Sequence, residues 1–109
     1  MGLKRGEIWW IDLEPTRGSE IKKTRPGVIL TVDALNKARR TVVIVPLSSS
    51  AQPRPPIVVA TPSAGGHSVA VCDQVRTVDK ERLVEKIGEL SKSDLMAMSS
   101  GIKHILGLS

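Results

Sequence analysis

Short runs of β-branched and apolar residues, separated by prolines and glycines, constrain the fold of this chain more than any other feature. Apolar runs of this length that are bounded by turn residues are typical of β-strands. They predict strands at residues 7–13, 28–33, 41–47, 57–60 and 68–78, with a further short strand around 83–87. Residues 33–40 are polar and are predicted to form a turn, and Pro46 predicts a bulge or the end of regular pairing.

The periodicity of the apolar residues changes from two to 3.6 at Ser91, which predicts one helix that ends near Gly107. Ser91 followed by Asp94 is similar to a capping box. One helix face collects the apolar side chains Leu95, Met98, Ile102, Ile105 and Leu106, and His104 lies opposite them, facing solvent. Several strands followed by one helix predict a mainly β fold with a C-terminal helix, built as a small bent antiparallel sheet or barrel.

Length, charge and composition limit the possible functions. A chain of 109 residues predicts a single domain, 1–109, and its net charge of +5 suits a polyanionic partner such as nucleic acid or an acidic peptide. One cysteine, no secretory signal pattern and no apolar run long enough to span a membrane predict a cytoplasmic protein without a membrane partner. One Cys and two His without ligand spacing, and no phosphate-binding glycine loop, predict neither a metal nor a cofactor.

The adjacent Trp9 and Trp10 are the only large aromatic residues, because the chain has no Phe and no Tyr. On a strand their rings point to opposite faces, so we expect one in the core and the other at a rim or partner surface. The chain therefore lacks a row of stacking aromatics, and any binding of RNA must depend mostly on electrostatic attraction and hydrogen bonds.

A basic segment, PTRGSEIKKTRPG at residues 15–27, connects the first two predicted strands and is longer than a hairpin requires. It has one carboxylate, Glu20, and four cations, which are Arg17, Lys22, Lys23 and Arg25. Such a segment is either a cationic lip over a functional site or a solvated loop that keeps the protein soluble, and charge alone leaves both open.

Polar residues capable of chemistry also lie at predicted strand ends: Arg25, Ser48, Ser49, Asp73, Gln74 and Arg76. From the pattern alone, Arg25 could be a strand-start cation, Ser48 a turn hydroxyl, and Asp73 with Arg76 a structural ion pair. His67 and His104 could in principle act as acid and base in RNA cleavage. However, His67 falls in a glycine turn and His104 on the helix exterior.

Three segments, RGEIWWIDLEPTRGSEIKKTRPGVIL, TVVIVPLSSS and VCDQVRTVDKERL, resemble in order and spacing the MazF/PemK family of toxin endoribonucleases from toxin–antitoxin systems. The resemblance covers most of the chain. It implies an SH3-like small barrel of the MazF/CcdB type, assembled as a homodimer. It also implies metal-independent cleavage of single-stranded RNA at short motifs, leaving 2′,3′-cyclic phosphate and 5′-hydroxyl ends, and silencing by a cognate antitoxin.

The same resemblance implies roles for individual residues. Arg25 matches the family's catalytic arginine, and Ser48 or its neighbour Ser49 falls where many members carry a catalytic threonine. Asp73 matches an aspartate that is catalytic in some members, although their histidine corresponds to Ser19 here and their arginine to Val71. RNA contacts are expected from Arg17, Ser19, Glu20, Lys22, Lys23, Thr24, Ser49, Gln74 and Arg76. For Gln74 and Arg76, packing beneath the basic segment is the alternative.

The reaction itself explains why an arginine and a hydroxyl are suited to this site. Attack of a ribose 2′-hydroxyl on the adjacent phosphate adds negative charge to the phosphoryl oxygens, which Arg25 and nearby donors can stabilise. An arginine stays protonated and a serine is no base by itself. The resemblance implies Asp73 as a candidate proton acceptor, because it matches an aspartate that is catalytic in some members. Two other functions stay open: a CcdB-like toxin that binds gyrase without catalysis, and an SH3-like binding module.

Overall fold

The computed structural model describes residues 2–13 and 24–108, and these ranges contain seven strands, two α-helices and three short 3-10 helices. The strands are β1 (Glu7–Asp12), β2 (Thr24–Ile29), β3 (Thr41–Ser48), β4 (Val58–Ala60), β5 (Val69–Val71), β6 (Arg76–Asp79) and β7 (Leu83–Glu89). The α-helices are α1 (Asp33–Ala38) and α2 (Lys92–Ile105), and the 3-10 helices are Pro62–Ala64, Cys72–Gln74 and Lys80–Arg82. The predicted fold class, mainly β with a C-terminal helix, is confirmed.

Strand β3 is the hub of the antiparallel sheet, whose order is β4-β5-β3-β2-β1-β7 with β6 also paired to β3. One edge of β3 pairs with β2, while the other edge pairs first with β6 and then with β5. The change of partner falls between Ile44, opposite Arg76, and Leu47, opposite Ala70. Pro46 lies within this interval, where its missing N–H costs no hydrogen bond to either strand on that edge. The strand continues through Pro46 to Ser48.

The predicted single strand at residues 68–78 is wrong, because it consists of β5, the 3-10 helix Cys72–Gln74 and β6. From Leu47 to Ile44, β3 covers three residue steps, whereas the segment that pairs with it covers six, from Ala70 to Arg76. The pairing segment therefore has three residues more than the ladder can hold. The 3-10 helix takes up this excess, and the backbone N–H of Cys72 donates to the carbonyl of Ile57 instead of to β3. The predicted alternation of faces along 68–78 is therefore interrupted.

The predicted turn at residues 33–40 is also wrong, because it contains the short helix α1. Asn36 is buried in α1, and its Nδ2 donates to the carbonyl oxygen of Thr31 at 2.8 Å. At the helix start, the carboxylate of Asp33 accepts a hydrogen bond from the backbone N–H of Arg5 at 2.8 Å. Contacts with distant segments thus stabilise a helix that the local pattern does not indicate.

Two apolar clusters cover opposite faces of the central strands. Neighbouring residues such as Val28 and Ile29, or Ile44 and Val45, belong to different clusters because successive strand residues point to opposite faces. Met98 and Ile102 of α2 complete the cluster that contains Val28 and Val45. The terminal helix therefore closes one of the two cores.

The predicted cap of α2 is confirmed, since the hydroxyl of Ser91 accepts from the N–H of Asp94 at 3.1 Å. In a full capping box, the side chain three residues after the cap accepts a hydrogen bond from the backbone N–H of the cap residue. Here Ser63 is that acceptor. Its hydroxyl accepts from the N–H of Ser91 at 3.0 Å, and its backbone N–H donates to the carboxylate of Asp94 at 2.8 Å. Leu106 is 56% exposed because the helix has already ended at Ile105, so its predicted core position is wrong.

Gly101 of α2 packs so closely on the β structure that a side chain has no room. A Cβ at this position would lie 2.8 Å from the carbonyl oxygen of Pro56 and 3.0 Å from Val59. Alanine normally favours a helix over glycine by about 1 kcal/mol. Here the backbone contact outweighs that preference.

We expect Gly101→Ala to lower the free energy of unfolding by about 1–3 kcal/mol, because overpacking forces the helix away from Pro56. Urea denaturation measures the change. The control is Ser100→Ala, an exposed neighbour on the same helix, which should stay within about 0.5 kcal/mol of the parent. A Gly101→Ala protein as stable as the parent would contradict the close packing.

Glu7 is a buried carboxylate in β1 with two polar partners. Its Oε1 accepts from Nε1 of Trp9 at 3.0 Å, and its Oε2 lies 3.3 Å from Nζ of Lys86. Burial alone would raise the pKa of Glu7, but the hydrogen bonds from Trp9, Lys4 and Lys86 outweigh it and leave this pKa below the ordinary 4.5. Trp9 is half-buried and Trp10 is 39% exposed, as predicted for rings on opposite faces.

We expect Glu7→Gln to lower the free energy of unfolding at pH 7 by about 1–3 kcal/mol, the range for a charge-assisted hydrogen bond. Because the carboxylate has a lower pKa in the folded chain, its stabilisation is complete above about pH 4.5 and is lost as the pH falls through the folded-state value. The difference between the two proteins should therefore shrink in acid. Glu89→Gln is the control, since Glu89 also contacts Lys86 but is 70% exposed, and its effect should be small at any pH.

Candidate functional site

Arg25 and Ser48 both lie just beyond the same end of the β2–β3 ladder. The observed register ends at Gly27 opposite Pro46, and its continuation by two residues places Ser48 opposite Arg25. The same continuation places Pro26 opposite Leu47, and these two residues line one pocket. Directly opposed residues of an antiparallel pair share a face. We call these two residues the Arg25–Ser48 corner.

The corner offers a cation and a hydroxyl at the edge of the sheet. Arg25 is exposed and Ser48 is half-buried. The Ser48 Oγ accepts from the backbone N–H of Ser50 at 3.2 Å and lies 3.3 Å from the Ser50 Oγ. These contacts fix the position of the Ser48 hydroxyl, while Ser49 between them is exposed. A guanidinium and a fixed hydroxyl can both donate hydrogen bonds to phosphoryl oxygens.

Asp73, Gln74 and Arg76 lie along the edge of β3 that does not pair with β2. Arg76 is opposite Ile44, four residues before Ser48, which is about 13 Å along a strand. Asp73 and Gln74 belong to the 3-10 helix just before Arg76. Asp73 is exposed and no ion pair joins it to Arg76 in the part of the chain that the structure describes, so the predicted structural pair is wrong.

The predicted basic lip falls mostly on residues that the structure does not describe. Arg17, Ser19, Glu20, Lys22 and Lys23 lie outside the described ranges. Thr24 is described: it begins β2, is half-buried and lies opposite Asp12 of β1.

A pocket of about 200 Å³ opens next to the corner, and sequence reasoning missed it. Its lining includes Ser49, Gln52 and His67. Strand pairing creates it, because Ser48 is opposite Val69 and the glycine turn that carries His67 precedes Val69 directly. His104 lines a different and larger groove along α2, of about 860 Å³, so the structure does not bring the two histidines together.

Two further properties of the described residues bear on function. Among residues 2–13 and 24–108, no group of three or more His, Cys, Asp or Glu side chains is placed to hold a metal ion. Within the same ranges, no helix has the length and hydropathy needed to cross a membrane.

Comparison with known proteins finds relatives of this chain by sequence and similar folds among solved structures. A family model described as PemK-like, MazF-like toxin of type II toxin-antitoxin system matches residues 4–106. The curated endoribonuclease MazF9 of Mycobacterium tuberculosis is 34% identical, over 97% of this chain and 98% of that protein.

Two solved structures share the fold. MazF from Deinococcus radiodurans superposes with a TM-score of 0.87, at 24% identity over 99% of each chain. A mycobacterial endoribonuclease solved in complex with its cognate antitoxin has a TM-score of 0.82, at 24% identity over 98% of this chain and 97% of that one. The likeness supports the predicted MazF-type architecture.

Cys72, the residue before Asp73, is fully buried. Burial, together with the negative charge of Asp73, raises the pKa of the Cys72 thiol to about 11. Because only the thiolate is reactive, this thiol is both inaccessible and almost entirely protonated at neutral pH.

We expect the native protein to react with a colorimetric disulfide reagent at pH 7 far more slowly than the same protein in guanidinium chloride. Cys72 is the only cysteine of the chain, so the signal has one source. Equal rates in the two conditions would show that the 3-10 helix opens readily and would contradict the packing described above.

Proposed function

Because the chain belongs to the PemK-like, MazF-like family of toxins from type II toxin–antitoxin systems, we propose that it is a toxin endoribonuclease that cuts single-stranded RNA at short sequence motifs. The observation that carries this proposal is the near full-length match to the family, together with 34% identity to a curated endoribonuclease. The Arg25–Ser48 corner supports it, since a cation and a fixed hydroxyl suit a phosphodiester substrate.

The proposed reaction is attack of a ribose 2′-oxygen on the adjacent phosphorus with loss of the 5′-oxygen. The products are a 2′,3′-cyclic phosphate and a 5′-hydroxyl, and no metal takes part. Arg25 stabilises the negative charge that develops on the phosphoryl oxygens, and the hydroxyl of Ser48 donates a hydrogen bond to one of them. Water accepts the proton of the 2′-hydroxyl and supplies one to the leaving oxygen, because neither Arg25 nor Ser48 is a base.

For Asp73 we propose a role outside the bond-breaking step. Its segment lies on the opposite edge of β3 from Arg25, between Ala70, which is opposite Leu47, and Arg76, which is opposite Ile44. A proton acceptor must come within hydrogen-bond reach of the 2′-hydroxyl, either directly or through one water. We propose that Asp73, Gln74 and Arg76 contact the RNA away from the cut.

We further propose that residues 1–109 act as one toxin domain in the cytoplasm, as a homodimer, and are inhibited by a cognate antitoxin. The related mycobacterial endoribonuclease was solved with its cognate antitoxin, which supports such a partner here. The net charge of +5 favours an inhibitor with an acidic segment that covers the RNA-binding surface. Phosphate contacts from Arg17, Lys22 and Lys23, together with Ser19, Glu20 and Thr24, complete the proposed RNA-binding set.

We expect the purified, antitoxin-free protein to cut a long, mostly single-stranded RNA in EDTA. Arg25→Ala should lower the cleavage rate by about 10² to 10³, as loss of a preorganised donor does. Ser48→Ala should lower it by about tenfold, the value of one neutral hydrogen bond. Sequencing of the fragments and chemical identification of their ends measure the motif and the products.

Arg40→Ala and Ser100→Ala are the matched controls, since both side chains are exposed and remote from the corner along the chain. Both should cut like the parent. If the folded parent cuts none of several RNAs, a gyrase-binding toxin or an inactive binding module becomes the better proposal. If it cuts but Ser48→Ala is unaffected and Ser49→Ala is impaired, Ser49 is the donor.

A further inference from the structure

We propose that the pocket formed by Ser49, Gln52 and His67 holds one nucleobase of the RNA substrate, stacked on His67, and thereby sets one position of the cleavage motif. The inference rests on the proposed RNA cleavage and concerns which sequences are cut. His67 is in this sense a specificity-determining residue, and it takes no part in proton transfer.

The β3–β5 ladder brings this pocket next to the corner. Leu47 is opposite Ala70 and Ser48 is opposite Val69. The register, continued past the strand ends, brings Ser49 and the residues after it alongside the turn that ends at Ser68. Ser49, His67 and Ser68 accordingly line the same pocket. Since consecutive Cα atoms are about 3.8 Å apart, the pocket begins directly beside Ser48.

The turn that carries His67 is anchored on both sides. The buried Thr61 donates its backbone N–H to the carbonyl of Ser68 at 2.9 Å, and its hydroxyl donates to the Ser68 hydroxyl at 3.1 Å. Within the turn, the N–H of Ser68 donates to the carbonyl of Gly65 at 3.0 Å. Gly65 adopts φ +144°, which side chains rarely allow. His67 is therefore presented by a preformed turn.

The chemistry of the pocket fits a planar base with polar edges. Gln52 offers both a donor and an acceptor from its amide, and Ser49 adds a hydroxyl. The rings of Pro53 and Pro62 supply apolar surface. An imidazole provides the flat face on which an unpaired RNA base can stack.

The two tryptophans lie on the other side of β3 from this pocket, where Trp10 is opposite Pro26. The chain has no Phe and no Tyr, and both tryptophans belong to β1, which pairs with β2 and β7 and not with β3 or β5. The proposal needs one stacked base only, so it is compatible with a chain that has no row of stacking aromatics.

Charge argues for a base in this pocket and against a phosphate. Among the described residues that line it, there is no Lys, Arg, Asp or Glu, and His67 is the only titratable one. A phosphate site needs a cation or several aligned N–H groups. Arg25, the cation of the proposed site, lies on the other side of β3, where the scissile phosphate is expected.

The test compares His67→Ala, His67→Phe and Gln52→Ala on a randomised single-stranded RNA library, with cleavage sites read by sequencing. We expect His67→Ala to lower kcat/KM by about 10- to 100-fold, the range for loss of one base stack, and to relax one position of the motif. His67→Phe should restore most of the rate, because it stacks and cannot transfer protons. Gln52→Ala should relax the same position.

His104→Ala is the matched control, since this second histidine is exposed on α2 and lines another groove. It should change neither the rate nor the motif, and thermal unfolding should show all variants folded. The proposal is overturned if His67→Ala and Gln52→Ala keep the parental motif. It is equally overturned if His67→Phe is as slow as His67→Ala with an unchanged motif, which would indicate proton transfer.

Binding of short single-stranded RNA by fluorescence anisotropy separates this inference from the proposed function. If the parent binds RNA without cutting it and His67→Ala weakens binding, the cleavage proposal fails and the base pocket stands. If the parent cuts RNA and His67→Ala neither weakens binding nor changes the motif, the pocket proposal fails alone.

Discussion

Backbone pairing along both edges of β3 is the constraint on which the rest of this structure depends. One edge carries β2 and so brings Arg25 towards Ser48, while the other carries β6 and β5 and so brings the His67 turn towards Ser49. The strand is rich in β-branched residues, and its faces contribute to both apolar clusters. The core and the candidate site are thus positioned by the same hydrogen bonds.

Much of this fold can be predicted from local pattern, and the failures share one cause. The strands near residues 7–13 and 41–47 and the capped terminal helix follow from β-branched runs, periodicity and a serine cap. The region 68–78 misleads because its alternation continues through Cys72, whose N–H is engaged by Ile57 rather than by β3. Likewise α1 depends in part on Asp33 and Asn36 contacting Arg5 and Leu3. Such long-range partners leave no local signal.

Some residues of the candidate site can be predicted from the sequence and others cannot. Arg25 and Ser48 stand out in the sequence because they lie in distinctive segments, and strand register then explains their proximity. The pocket of Ser49, Gln52 and His67 has no sequence motif, since its members come from two loops that meet only through β3–β5 pairing. A histidine between glycine and serine is indistinguishable, in sequence, from any surface turn residue.

The tight contact of Gly101 with Pro56 ties the terminal helix to the loop between β3 and β4, which also carries Gln52. With no side chain between the two backbones, a shift of α2 towards this loop would press directly on the Pro56 carbonyl. Fidelity towards RNA would then depend partly on residues that never touch it. Substitutions that alter the packing of α2 would then change which RNA sequences are cleaved without changing the cleavage reaction. A ligand that displaces α2 would have the same effect.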